Sequence, residues 1–550
     1  MSRTILVVGG YGVFGARLSR ALAGEAGLHV LVAGRSLARA QEVCAGTAAL
    51  LLVLDRDAPD LPAQLAGLAP FAVIDAAGPF QAYGAAPYRL ARASLQAGAH
   101  YLDLSDDADF TAGIASLDDL AREGGLVALS GVSSVPALSS AVVANLAPGM
   151  EDIHLIDTVI LPGNRAPRGL SVIRAILTQA GRPVAHWRGG RAVAMPGWSG
   201  TRRERIALPG QCLPARPASL IGAPDLRLFP PTFVARSVVF RAGLELGLMH
   251  HGLWLLAWPV RLGLMRSLVP LARPLRWIAD LLRPFGSDRG GMRVRVAGLA
   301  GGRPVARDWA LIAGAGDGPE VPAIPARVAV QMLAEGDLRP GARPCLADLP
   351  LARLEQALAT HAIATGRGES PCPGLFETVL GPDFARLPAP VQALHQVIDL
   401  GRWQGEAQVA RGTGRLSRLV CRLFGFPAAT AATPVEVTME RRGEAEVWTR
   451  RFGSRVFLSV MRARKGQMTE RFGPFTFTLG LAVEGDALRF PVVAGRLGPV
   501  PLPRRLLPQS VAQETADGVR ACFDVKLSLP LAGLLVRYRG WLEPADQSRK

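Results

Sequence analysis

The chain has 550 residues, which is enough for about three domains of ordinary size. Its residues are 49% hydrophobic and 19% charged, a balance that is typical of folded proteins and excludes an intrinsically disordered chain. The formal net charge of +17 comes almost entirely from arginines spread along the sequence. The charge forms no cluster interleaved with aromatic residues. The many arginines are therefore better explained by a biased amino-acid composition than by a binding surface, and we expect no nucleic-acid partner.

The cysteine pattern limits the chemistry further. The six cysteines are scattered, and no two of them have Cys-x-x-Cys spacing. This pattern argues against a disulfide framework and a zinc site, so we expect no metal and a reducing compartment. The first apolar run, Ile5–Val8, is too short for a secretion signal and predicts a strand. We therefore predict a cytoplasmic protein.

Up to residue 135, short aliphatic runs alternate with segments of helical composition. The predicted strands are Thr4–Val8, His29–Ala33, Leu50–Leu54, Ala72–Asp75, His100–Leu102 and Leu126–Ser130. The predicted helices are Phe14–Ala23, Leu37–Ala45, Ala85–Ala97 and Ala108–Arg122. Because strictly alternating strands and helices form parallel sheets with right-handed crossovers, residues 1–135 predict an α/β Rossmann domain with a doubly wound sheet.

A glycine-rich loop connects the first predicted strand to the first predicted helix. Gly10-x-Gly12-x-x-Gly15 matches the dinucleotide-binding fingerprint in the place that its mechanism requires. We assign Gly10 to a tight turn, Gly12 to the approach of main-chain amides to a pyrophosphate, and Gly15 to packing of the helix on the sheet. The positive end of the helix dipole would face the phosphates.

The end of the second strand bears on the choice of cofactor. It reads Gly34-Arg35-Ser36 and lacks the acidic residue that binds the ribose hydroxyls of NAD. A guanidinium and a hydroxyl suit a ribose phosphate better than a free diol, so the sequence predicts NADP rather than NAD. The alternative is that Arg35 is an ordinary exposed arginine of an arginine-rich chain.

Residues 136–370 have a different rhythm and predict an α+β domain for substrate binding or dimerisation. Its predicted strands are Ile153–Leu161, Met292–Leu299 and Ala306–Ala313, and its predicted helices are Ser139–Leu146, Pro322–Leu333 and Leu351–Thr365. We expect a small-molecule substrate and a homodimer.

Within this domain, residues 242–285 form an apolar helical segment. Its longest uncharged run, Leu246–Val260, is shorter than the about 20 apolar residues that span a bilayer. Five arginines fall on one side of a helical wheel, namely Arg261, Arg266, Arg273, Arg276 and Arg283. Tryptophans accompany them, so residues 248–285 predict helices on an anionic membrane surface or over an apolar substrate tunnel. The alternative is a helical subdomain packed on the sheet of its own domain.

Residues 374–543 predict a mostly antiparallel β domain. Turns at Gly443, Gly453, Gly466 and Gly485 separate strands of six to ten residues. We expect a curved antiparallel sheet with one or two helices that forms a cup for a small ligand.

The first 370 residues resemble the saccharopine dehydrogenase-like NADP-binding family. The residues that carry the resemblance are the glycine loop, Gly78-Pro79-Phe80, Tyr83-Gly84, Gly98–Tyr101, Asp103 and Gly131–Ser140. The resemblance implies that the loop after the fourth strand lines the nicotinamide ribose. The predicted cofactor-binding residues are therefore Gly10, Tyr11, Gly12, Val13, Phe14, Gly15, Arg35, Ser36, Ala77, Gly78, Pro79 and Phe80.

The C-terminal residues resemble a different family, a bacterial domain of unknown function that is often fused behind such a reductase-like part. The residues that carry this resemblance are His395, Arg411-Gly412, Trp448, Arg450, Phe452-Gly453, Glu470, Pro501, Pro503, Tyr538 and Gly540. The resemblance implies a bacterial protein, and it implies no activity for this part.

The chemistry expected of the first part is hydride transfer, which the cofactor carries. Reduction of a carbonyl or imine also requires a proton donor, for which the candidates are Tyr101, Asp103 and Ser134. An aspartate at a strand end also commonly binds loop amides, and that alternative stays open for Asp103. The sequence shows no pair of arginines placed to hold an amino acid's carboxylates. We therefore expect an NADP-dependent oxidoreductase for a hydrophobic or lipid-derived substrate, or alternatively a non-catalytic NADP-binding scaffold at the inner membrane surface.

Overall fold

The computed structural model describes residues 2–530 and 532–545. It divides into two compact units. The first contains the residues up to 296 together with 307–369, and the second contains 297–306 together with the residues from 370 onward.

The first unit begins with a parallel β/α arrangement. Its strands are β1 (Arg3–Val8), β2 (Leu28–Gly34), β3 (Leu50–Val53), β4 (Ala72–Asp75), β5 (His100–Asp103) and β6 (Val127–Ser130). Its helices are α1 (Gly15–Ala23), α2 (Leu37–Cys44), α3 (Leu61–Leu68), α4 (Arg89–Gln96), α5 (Ala108–Gly113), α6 (Asp118–Glu123) and α7 (Ser139–Leu146). In β1, Ile5 packs in the core on one face of the sheet and Leu6 in the core on the other. Such burial on both faces is typical of a parallel sheet covered by helices on each side.

One predicted helix of this part is wrong in its middle. The helix expected over Ala108–Arg122 is two helices, α5 and α6, joined by a 3₁₀ turn at Ile114–Leu117. Ile114 and Leu117 are both buried. Because residues three apart share one face of a 3₁₀ turn, the tighter winding lets both side chains enter the core.

A second, mixed sheet follows in the chain. Its strands are β7 (Asp152–Leu161), β8 (Pro183–Arg188), β9 (Arg191–Pro196), β10 (Ser199–Leu208), β11 (Gln211–Leu220), β12 (Val238–Gly243), β13 (Gly290–Ala300) and β14 (Arg303–Ala313). The helices between and after them are α8 (Leu170–Gln179), α9 (Asp225–Phe233), α10 (Gly247–Arg261), α11 (Ala272–Leu281) and α12 (Ile324–Glu335). The sequence did not predict β8 to β12, because arginine and proline interrupt their apolar pattern.

The chain then returns to the first sheet through β15 (Gly341–Pro344), continues through α13 (Leu351–Leu358) and ends this part at β16 (Ile363–Pro371). β15 pairs in parallel with β6 and completes a seven-stranded sheet of order β15-β6-β5-β4-β1-β2-β3. This topology confirms the predicted α/β Rossmann fold, and it adds to the sheet a strand, β15, from outside residues 1–135. The second sheet has the main order β10-β11-β12-β7-β13-β14-β16.

The helix predicted over Leu351–Thr365 is wrong in its second half. α13 ends at Leu358, and β16 joins the second sheet next to β14. Leu351, Leu354 and Leu358 are buried at helical spacing, and this spacing stops at Leu358. The strand that follows is stabilised by hydrogen bonds to β14, a partner that the local sequence does not reveal.

The second unit contains one large antiparallel sheet, which confirms the antiparallel fold predicted for residues 374–543, but its described residues form three α-helices where one or two were expected. Its helices are α14 (Leu375–Leu380), α15 (Ala389–His395) and α16 (Arg415–Leu423). Its strands are β17 (Leu400–Arg411), β18 (Thr430–Arg442), β19 (Ala445–Phe452), β20 (Arg455–Arg464), β21 (Gln467–Phe472), β22 (Phe475–Leu479), β23 (Ala482–Glu484), β24 (Ala487–Arg489), β25 (Val492–Leu497), β26 (Val500–Pro501), β27 (Gln509–Asp517), β28 (Arg520–Leu529) and β29 (Gly533–Pro544). The 13 strands have the order β23-β24-β27-β28-β29-β17-β18-β19-β20-β21-β22-β25-β26.

Candidate functional site

The glycine loop between β1 and α1 is packed against the end of β4. Gly9 carries the left-handed backbone of the turn, with φ of +74°, whereas the sequence assigned the turn to Gly10. A Cβ atom at Gly9 would lie 2.5 Å from the Cα atom of Ala77, and one at Gly15 would lie 2.5 Å from the carbonyl oxygen of Gly9. Side chains at these two positions would therefore separate the loop, the helix and β4.

The same loop offers main-chain donors. Within residues 2–530 and 532–545, the amides of Tyr11, Val13 and Phe14 donate no hydrogen bond. They lie just before the first turn of α1, where the helix dipole adds partial positive charge. A Cβ atom at Gly12 would lie 3.2 Å from the carbonyl oxygen of Gly9, with no side chain near it. Free amides in a loop of this shape fit the diphosphate of a dinucleotide.

At the end of β2, Tyr11 covers the start of the next loop. Its hydroxyl accepts a hydrogen bond of 3.0 Å from the main-chain amide of Arg35. A Cβ atom at Gly34 would overlap the Tyr11 ring, and the Arg39 guanidinium lies 5.6 Å from the centre of that ring. The Arg35 side chain is exposed, and Ser36 precedes α2 without capping it through its hydroxyl. The structure thus brings Tyr11, Arg35 and Ser36 together at the end of β2.

The loop after β4 is held by a buried carboxylate that the sequence analysis did not single out. Asp75 accepts hydrogen bonds from the Ala77 amide at 3.0 Å and from the Tyr83 hydroxyl at 3.0 Å. Burial raises the pKa of Asp75 to about 6, although the Ala77 amide and the nearby Arg56 guanidinium oppose the rise. These bonds hold Ala77, the first residue of the segment Ala77–Phe80 that was predicted to line the nicotinamide ribose, and Tyr83, which lies three residues beyond that segment. An acid at the last position of a buried strand is the signal that could have revealed Asp75.

Asp103 ends β5 directly beside Asp75 in the sheet register. Its Oδ1 atom accepts hydrogen bonds from the Ser105 amide at 3.0 Å, the Ser130 hydroxyl at 2.9 Å and the Gly131 amide at 2.8 Å. Burial raises the pKa of Asp103 to about 7, although these hydrogen bonds act to lower it. The contacts are those of a residue that joins the ends of β5 and β6.

The other two candidate proton donors lie in different surroundings. Tyr101 is buried, and burial together with the carboxylates of Asp103 and Asp75 raises its pKa well above the usual value. Ser134 is half-buried in the helical turn before α7, and it makes no side-chain hydrogen bond with any residue that the structure describes. Ser134 is thus the most accessible of the three predicted hydroxyl or carboxyl groups.

The apolar segment forms helices α10 and α11 with the turns around them. Several large apolar side chains of this segment are exposed, namely Leu248, Leu255, Leu262, Leu264, Trp277, Leu281 and Phe285. Other residues of the segment, such as His250, Ala257 and Ala272, are buried in the first unit. The segment therefore packs on its own domain through one side and leaves an apolar side uncovered. Among the residues that the structure describes, no helix has the length and apolar character needed to cross a membrane.

Comparison with protein-family models finds one match, in the C-terminal part of the chain. Residues 387–542 match DUF4166, a domain of unknown function. This match confirms the second resemblance predicted from the sequence. No curated protein matches the sequence.

Solved structures show a likeness over about two thirds of the chain. Apo saccharopine dehydrogenase (L-Glu forming) from Saccharomyces cerevisiae is 14% identical, with 67% of this chain and 100% of that chain covered and a TM-score of 0.49. GenD2 from gentamicin A biosynthesis, in complex with NAD, is 13% identical, with coverage of 66% and 97% and a TM-score of 0.31. A 3-ketoreductase from Actinomadura kijaniata, in complex with NADP, is 12% identical, with coverage of 65% and 96% and a TM-score of 0.30.

Proposed function

We propose that the first unit is an NAD(P)-dependent oxidoreductase that prefers NADP. The observation that carries the proposal is the set of free main-chain amides at Tyr11, Val13 and Phe14, placed at the start of α1 and beside the end of β4. This donor set fits a dinucleotide diphosphate. A bound nicotinamide would supply the hydride.

Each group of predicted residues has a role in this proposal. The glycine loop binds the diphosphate, and the exposed guanidinium of Arg35 with the Ser36 hydroxyl binds the ribose phosphate of NADP. The segment Ala77–Phe80, which Asp75 anchors, orients the nicotinamide ribose. The proton donor belongs to the set Tyr101, Asp103 and Ser134. The homodimer, the bacterial origin and the cytoplasmic location stay predictions.

The proposed substrate is hydrophobic or lipid-derived, and the protein reaches it at an anionic membrane surface through α10 and α11. The uncovered apolar side of these helices supports this, because such a surface is costly to leave in water. Arg261, Arg266, Arg273, Arg276 and Arg283 supply the positive charge that attracts anionic lipids. The alternative is a non-catalytic NADP-binding scaffold that uses the same surface.

The direct test is titration of the purified full-length protein with NADPH and NADH, followed by fluorescence of the reduced nicotinamide. We expect saturable binding of NADPH in the micromolar range and weaker binding of NADH. Failure to bind either dinucleotide would disprove the proposed function. If NADPH binds but carbonyl, imine and enoyl compounds of lipid character are all left unchanged, the scaffold is favoured over the enzyme.

A further inference from the structure

The second unit encloses an apolar cavity of about 430 Å³, which is in the size range of small-molecule sites. Its walls come from strands that are far apart in the sheet order, including β19, β21, β27 and β29. The sheet must therefore curve around the cavity. Phenylalanine, leucine and valine side chains form most of the wall. Protein interiors leave few voids larger than a water molecule, so an apolar cavity of this size against a curved sheet favours a ligand site over a packing defect.

Several residues that carry the resemblance to the family of unknown function meet at this cavity. Trp448, Arg450, Glu470 and Tyr538 line it, and His395 stacks on Trp448 with the ring centres 5.6 Å apart. The sequence separates these residues by as much as 143 positions, so their meeting is a property of the fold. No part of the proposed oxidoreductase function uses them.

The charged groups of the cavity already have partners. Arg450 binds Glu470 at 3.1 Å and the Ser459 hydroxyl at 2.8 Å. Glu514 lies 2.5 Å from the Nε2 atom of His395. An ionised ligand would therefore find no unpaired opposite charge in the cavity, and burying it there would be costly. The cavity suits an uncharged molecule.

Tyr538 supplies the polar anchor that remains. Its ring packs against Phe452, with the centres 5.3 Å apart, and its hydroxyl makes no hydrogen bond with any residue in the described part of the chain. Burial raises the pKa of Tyr538 to about 12, so the hydroxyl keeps its proton at neutral pH and can donate a hydrogen bond. A second hydroxyl, that of Ser510, is also in the cavity wall, where it accepts a hydrogen bond of 2.7 Å from the Val492 amide. The Ser510 hydroxyl can therefore still donate a hydrogen bond to a ligand.

The cavity opens beside α16. Leu423, the last residue of this helix, lines the cavity and is 78% exposed, and Leu506 also lines it and is exposed. These exposed side chains show that the cavity reaches the protein surface there, and an apolar ligand can enter at that point.

We propose that this cavity binds one uncharged, largely apolar molecule that carries a hydroxyl or carbonyl group, and that the Tyr538 hydroxyl holds this group. The inference concerns the second unit alone and does not depend on the proposed oxidoreductase.

The test uses the full-length protein and Nile red, an uncharged dye with a carbonyl group. Decanol, a decanone, decane, decanoate and decyltrimethylammonium then compete for the dye. We expect decanol and the decanone to displace it at least about tenfold more effectively than the two ions. Tyr538→Phe should lower the affinity for decanol and the decanone by about threefold to tenfold and leave the affinity for decane unchanged, because the substitution removes only a hydrogen bond.

Two matched variants locate the site. Val525→Trp adds bulk to the cavity wall, whereas Val511→Trp adds the same bulk to the exposed face of the neighbouring strand. We expect the first to abolish saturable dye binding and the second to preserve it. Equal binding by both variants, or equal displacement by decanoate and decanol, would overturn the proposal. If Val525→Trp fails to fold by circular dichroism, the competition series and Tyr538→Phe still decide it.

Discussion

The hydroxyl oxygen of Tyr11 lies 3.0 Å from the main-chain nitrogen of Arg35 and accepts a hydrogen bond from it. This bond joins the glycine loop to the end of β2, so the two parts of the proposed nucleotide site are positioned together. It also leaves the Arg35 guanidinium as the charged group exposed at that corner, together with that of Arg39.

Arg35→Ala tests the choice between the two dinucleotides. We expect the affinity for NADPH to fall by about tenfold to a hundredfold, because a hydrogen bond between charged groups is lost, and the affinity for NADH to change by less than about twofold. Equilibrium titration followed by fluorescence measures both. Arg92→Ala, an exposed arginine on α4, is the control and should change neither affinity. An equal loss for NADPH and NADH would contradict the assignment of Arg35.

Gly12→Val tests whether the glycine loop between β1 and α1 binds the dinucleotide. Its backbone has no positive φ, and an added Cβ atom meets only the carbonyl oxygens of Gly9 at 3.2 Å and Ala76 at 3.8 Å. The fold should therefore tolerate valine at a cost of about 1 kcal/mol, while both dinucleotides lose at least about tenfold in affinity. Gly67→Val is the matched control, because a Cβ atom added at Gly67 would meet no other part of the protein within 4 Å beyond its own helix. Unchanged dinucleotide binding by a folded Gly12→Val variant would argue against the loop as the binding site.

Asp103→Asn tests the buried carboxyl group through stability. Burial raises the pKa of Asp103 from 3.8 to about 7, so the folded state binds this proton more tightly than the unfolded state does. The stabilisation is complete below the unfolded pKa and is lost as the pH rises through the folded value. As the pH rises from about 5 to about 8, ionisation of this group should lower the free energy of unfolding by about 2–3 kcal/mol.

Asparagine keeps an oxygen that can accept the three hydrogen bonds and cannot ionise. The variant should therefore lose this part of the pH dependence, as measured by chemical denaturation at both pH values. Asp119→Asn, an exposed carboxylate on α6, should keep the pH dependence of the native chain. If Asp103→Asn retains the full pH dependence, another group is responsible for it.

The double variant Trp277→Ser and Leu281→Ser tests membrane contact. Both side chains are at least 60% exposed on α11. Removing them should weaken binding to vesicles that contain phosphatidylglycerol by at least about tenfold, because each buried apolar side chain contributes about 1.5–3 kcal/mol. Cosedimentation with vesicles measures this.

The matched control for this surface is Val234→Ser, another exposed apolar residue of the same unit outside the segment. It should leave vesicle binding unchanged, and vesicles of phosphatidylcholine alone should bind weakly. Equal binding of the native protein and the double variant would show that α10 and α11 do not contact the membrane.

The sequence by itself determined the parallel β/α part, the glycine loop and the antiparallel character of the C-terminal part. Each of these depends on local spacing: alternation of strands and helices, glycines at a strand-to-helix turn, and apolar residues at every second position. Local patterns also predicted α1, α2, α4, α7 and α12, but they missed α3, α8 and α9. The end of α13 was wrong because the strand after it is stabilised by a distant partner.

Only the tertiary structure decided which residues meet. Asp75 and Asp103 become neighbours because their strands pair in the sheet, and Trp448, Glu470 and Tyr538 meet because a sheet of 13 strands curves around one cavity. The turn has its positive φ at Gly9 rather than at Gly10, and Gly9 is so close to Ala77, which follows β4, that a Cβ atom there would clash. Contacts between residues far apart in the chain follow from pairing and packing of whole elements, and the spacing of residues along the sequence does not contain them.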